Sequence, residues 1–87
     1  MSKVRVHIFN GVKYEIQLTG LVDGLCDDPK NTTPHLFICA DLNTKKGFIT
    51  AIHEALHACN YSTKEGKVEQ TAKDIAGFLW RLGYRYK

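Results

Sequence analysis

Along the first twenty residues, hydrophobic and polar positions alternate. Val4, Val6 and Ile8 interleave with Lys3, Arg5 and His7, and Val12, Tyr14, Ile16 and Leu18 interleave with Lys13, Glu15 and Gln17. A period of two places one set of side chains on each face of a strand, so both runs predict half-buried strands. Asn10-Gly11 lies between them, and that pair accommodates the positive φ of a tight two-residue turn. A hairpin is expected over roughly residues 3–9 and 12–19. Residues 20–34 hold Asp23-Gly24, Asp27-Asp28-Pro29 and Asn31-Thr32-Thr33-Pro34, which read as a long irregular loop. The apolar run His35–Leu42 follows as a third strand.

From Thr44 the period changes. Phe48, Ile49, Ile52, Leu56 and Cys59 recur at three and four residues, the spacing of an amphipathic helix, with Asn43 or Thr44 as its cap. Asn60-Tyr61-Ser62 interrupts the pattern, and Ser62 with Glu65 has the form of a capping box. Val68, Ala72, Ile75, Ala76, Leu79 and Leu82 then mark a second helix, with Gly83 placed to end it. The order predicts an α+β domain: a small antiparallel sheet, made of the N-terminal hairpin and a third strand, packed on two C-terminal helices.

Length and composition narrow this picture. Eighty-seven residues form one domain, 1–87, and 44% hydrophobic with 24% charged residues is ordinary for a globular chain. No apolar run is long enough to cross a membrane. Three cysteines, Cys26, Cys39 and Cys59, form no close pair, and the N-terminus lacks an export-signal pattern; reduced thiols in a cytoplasm are the expectation. The net charge of +3 is scattered. Lys64, Lys67, Lys73, Arg81, Arg85 and Lys87 read as a solvated helix face rather than a nucleic-acid footprint.

The chemistry is concentrated in His53-Glu54-Ala55-Leu56-His57, an H-E-x-x-H run inside the first helix. Residues four apart on a helix differ by about 40° in direction, so the two imidazoles can converge on one metal ion. Glu54 projects about 100° from His53, where it reaches water at the metal as a general base rather than serving as a ligand. Neutral imidazole suits Zn²⁺, and a catalytic zinc site takes three protein ligands and keeps one position open. The third ligand must come from elsewhere. Reflecting an antiparallel helix pair through residue 61.5 sets residue 66 beside His57 and residue 70 beside His53, with Glu69 between them. Glu69 therefore ranks first and Glu65, assigned to capping, second; His35, Asp74 or a cysteine follow.

The H-E-x-x-H run followed by Glu69 resembles the gluzincin arrangement of zinc metallopeptidases, reduced to a minigluzincin-like or SprT-like core. Over about the last fifty residues the chain is similar to small phage-encoded proteins of this kind. The resemblance implies zinc on His53, His57 and a downstream glutamate, with Glu54 as general base and a peptide substrate lying beside an edge strand. Here that strand would be His35–Leu42. The chain departs from the pattern at Lys73, one turn after Glu69, where such peptidases often carry an acidic residue. Tyr61, Tyr84, Tyr86 and His35 are the candidates to stabilise an oxyanion. The expected activity is peptide hydrolysis by zinc-activated water. The alternative is a small binding module that uses zinc for folding, its coordination completed by Cys26, Cys39 or Cys59. So short a chain offers little surface for a substrate, which leaves a homodimer open.

Overall fold

In a computed structural model describing residues 4–86, the chain runs β1 (Val6–Phe9), β2 (Val12–Gln17), β3 (Gly24–Cys26), β4 (His35–Ile38), α1 (Lys45–Cys59) and α2 (Glu65–Arg81). The α+β class is as the periodicity predicts. Asn10 and Gly11 both have positive φ, 51° and 79°, and close the β1–β2 hairpin. Its register pairs Phe9 with Val12 and Val6 with Glu15. Lys3, which the expected first strand included, and Lys87, read as part of the solvated helix face, lie outside the described residues.

The sheet differs from expectation in two respects. It has four strands in the order β1-β2-β4-β3, and it is mixed: β4 runs parallel to β2 and antiparallel to β3. Parallel pairing needs a long crossover, and the seventeen residues between Gln17 and His35 supply it. Within that crossover lies β3, three residues too short to show a period of two. Apolar β4 takes an interior position with a neighbour on each side, and β3 becomes the edge strand on that side of the sheet, with β1 at the other. The edge strand beside the helices is therefore Gly24–Cys26 and not His35–Leu42.

Tyr14 and Leu36, fully buried on β2 and β4, meet Ala58 of α1 at the centre of the sheet–helix core. Tyr14 donates its hydroxyl to the Asp27 carbonyl at 3.2 Å, and Asp27 accepts the His35 amide on its carboxylate at 2.9 Å. These two bonds secure the end of β3 against β2 and β4.

Thr44 caps α1, accepting the Gly47 amide on its hydroxyl at 3.0 Å. A side chain at Gly47 would put a Cβ 1.8 Å from the Asp41 carbonyl oxygen, so the turn before the helix folds over a position that must stay bare. Gly47→Ala is expected to destabilise by about 3 kcal/mol through this overpacking. At about 4–8 °C per kcal/mol for a domain of this size, thermal melting should show a fall of more than about 10 °C.

Helix α2 packs on α1 through Val68, Ala72 and Ala76, all buried. Alanines at two consecutive turns let the helix axes come close, because the interaxial distance follows the size of the side chains between them. Phe48 and Trp80 close the far end of the pair with ring centroids 6.0 Å apart. Gly83, at φ 98°, ends α2 as expected: its amide and that of Tyr84 return to the carbonyls of Trp80 and Leu79.

Candidate metal centre

His53 and His57 lie one turn apart on α1, and both rings turn toward the start of α2. Their Nε2 atoms lie 3.0 Å and 2.6 Å from the same oxygen, Glu65 Oε1. These are the three residues among those described whose ligand atoms gather within 4.8 Å of one another. Ligand atoms about 2.0–2.1 Å from a tetrahedral zinc stand roughly 3.3 Å apart. The observed separations are slightly tighter, so a small outward shift would make room for an ion.

The carboxylate in this cluster is Glu65, not Glu69. The sequence assigns Glu65 to a capping box, but α2 starts later than that motif implies. Its N-cap is Lys64, without a side-chain cap, and the Ser62 hydroxyl donates to Asn60 Oδ1 at 2.9 Å instead. Glu65 thus becomes the first residue of the helix, free to point across at α1. Glu69, one turn on, sits 3.9 Å from Lys73 on an exposed face. The remaining candidates are outside the cluster of ligand atoms. His35 stacks on Phe37 and faces Glu15 across the sheet. Asp74 accepts the Gln70 amide. Cys26 points its thiol at the Asp27 carbonyl, and burial pushes that thiol up to about 11. Cys39 lies by the Gln17 carbonyl, and Cys59 is exposed.

The two imidazoles are about 17% and 16% exposed, whereas Glu65 is 68% exposed. The cluster is therefore walled on the α1 side and open to solvent on the other. Burial pushes the Glu65 carboxyl up, but the His57 hydrogen bond and the adjacent imidazoles outweigh it and leave a net downward shift. Glu54 is the one buried charged residue among those described. Burial raises its carboxyl above the usual range, only partly opposed by His53 and His57.

Glu54 fits in its place because the strand facing it has no side chain there. A Cβ on Gly24 would come within 2.7 Å of Glu54 Oε2 and 2.8 Å of the Thr50 methyl. β3 therefore lies directly against the carboxylate. A cleft of about 420 Å³ lies between β3 and the start of α2, bordered by Gly24, Cys26, Tyr61, Thr63 and the triad. A second groove of about 570 Å³ shares Gly24, His53 and Glu54 with it and continues toward Lys45, Lys46 and Lys73. Of the four residues considered for an oxyanion, Tyr61 borders the cleft, its ring 6.5 Å from that of His57. Tyr84 and Tyr86 line apolar grooves elsewhere.

Gly24 and its strand are the elements of the site that the sequence reading missed. A glycine at a strand position, where close backbone approach is a common reason for it, was the available signal.

No family model, curated protein or solved structure matches this chain. No helix among the described residues is long and apolar enough to cross a membrane.

Proposed function

We propose that the protein is a zinc-dependent metallopeptidase of the gluzincin type, with His53, His57 and Glu65 as ligands and Glu54 as general base. The observation that carries this reading is the convergence of both motif imidazoles on one carboxylate from the neighbouring helix. Two imidazoles and a carboxylate are a donor set typical of catalytic zinc. Among the described residues the set stops at three. That favours the enzyme over a metal used only for folding, which would take a fourth protein ligand.

When bound, zinc supplies Lewis acidity, lowering the pKa of water at its open position and polarising the substrate carbonyl. The chain's own groups do the rest. Glu54 sits beside His53 on the cleft wall, accepts a proton from the attacking water and passes it to the leaving amine. Its burial raises its basicity and suits it to hold that proton between the two steps. β3 offers an unpaired strand edge along the cleft, to which an extended peptide can add by backbone pairing. Tyr61, which borders the cleft beside His57, is the proposed donor to the carbonyl oxygen as charge builds on it.

The test is hydrolysis of an unfolded protein by the zinc-loaded chain, lost on chelation and recovered on adding zinc. Tyr61→Phe should lower kcat by about 10²-fold with KM little changed, because the bond strengthens only in the transition state. An unchanged kcat would remove Tyr61 from the reaction.

A further inference from the structure

Helix α2 has two apolar faces and, among the described residues, one partner helix. Val68, Ala72 and Ala76 are buried against α1. Ile75, Phe78 and Leu82, roughly a quarter turn round the helix, are 39%, 62% and 59% exposed. With Thr71 they are spaced four, three and four residues apart, the rhythm of a coiled-coil seam. The two positions flanking this seam on its solvent side, seven residues apart, are Asp74 and Arg81. Arg81 makes no ion pair among the described residues, and the Asp74 carboxylate accepts from Gln70.

The occupant is identified by register. Lay a second α2 antiparallel on the first so that Ile75 of each copy meets Phe78 of the other. Thr71 then meets Leu82 at both ends. The same alignment brings Asp74 opposite the Arg81 of the second copy, twice, by symmetry. In antiparallel helix pairs the flanking positions on one side meet their own kind, so a single offset satisfies both the apolar layers and the charge pairs. A helix with this seam and two like charges would have repelled a copy of itself.

We infer that this face of α2 is a two-fold interface with a second copy of the chain, centred between Ile75 and Phe78 and bracketed by reciprocal Asp74–Arg81 pairs. The seam spans about 17 Å, three helical turns, which puts the contact at the small end of specific interfaces and makes the dimer a reversible one.

Sedimentation of the full chain from about 1 to about 500 µM reads this directly, since a small interface dissociates within such a range. Mass should rise from monomer toward dimer with concentration. Phe78→Glu should keep the circular-dichroism spectrum, because the side chain lies outside the core, and should weaken association at least tenfold. Asp74→Arg alone and Arg81→Asp alone should each weaken it, and the two together should restore it. A monomer at every concentration overturns the proposal. So does a dimer indifferent to Phe78→Glu, or charge reversals whose effects simply add.

Discussion

Glu65→Ala is expected to weaken zinc binding on the order of 10²–10³-fold, one ligand's share of the roughly 10–16 kcal/mol seen for fully ligated zinc sites. Glu69→Ala should leave the affinity nearly unchanged. The reason is position: the Glu65 carboxylate is 3.0 and 2.6 Å from the two Nε2 atoms, whereas Glu69 pairs with Lys73 on the solvent side. Titration with a competing chelator measures both variants on one scale, and His57→Ala supplies the reference for losing a ligand. The comparison decides between the two glutamates without any assay of activity. Equal losses in both, or a larger loss in Glu69→Ala, would show that the second helix presents a different residue to the metal.

Glu54→Gln is expected to lower kcat for peptide hydrolysis by about 10²–10⁴-fold, the range for removing a positioned general base. Zinc affinity should stay within a few-fold of the parent, since Glu54 lies outside the ligand cluster. The amide is nearly isosteric, so the tight fit against Gly24 and Thr50 survives the change. Melting temperature should hold or rise, because the substitution removes a carboxylate whose ionised form burial disfavours. Turnover and metal content are measured on the same sample. Full activity with metal retained would assign the proton transfers to another group. Loss of metal as well as activity would make Glu54 a ligand or a support for one.

Much of this arrangement is legible in the chain. The hairpin follows from a strict period of two around Asn10-Gly11, and the helices follow from apolar spacing with Thr44 and Gly83 at their ends. The paired imidazoles follow from the four-residue interval itself. The misreadings share a cause: they concern short segments whose local signals point one way and whose packing points another. Gly24–Cys26 is too brief to show alternation and sits among turn residues, so only its pairing with β4 makes it a strand. Ser62 and Glu65 have the spacing of a capping box, but the box does not form once the carboxylate faces two imidazoles across the helix pair.

The sequence by itself determined the hairpin, the apolar strand after the long loop, the two helices, their order, and the residue types able to hold a metal, because these depend on interactions within a few positions of each other. The tertiary structure decided which carboxylate completes the cluster, which strand forms the edge, and why position 24 carries no side chain. Each of those is settled by the distance between segments remote along the chain. Here that distance is set by Ala72 and Ala76, which bring the helices together, and by Tyr14, whose bond to Asp27 holds β3 in place beside Glu54.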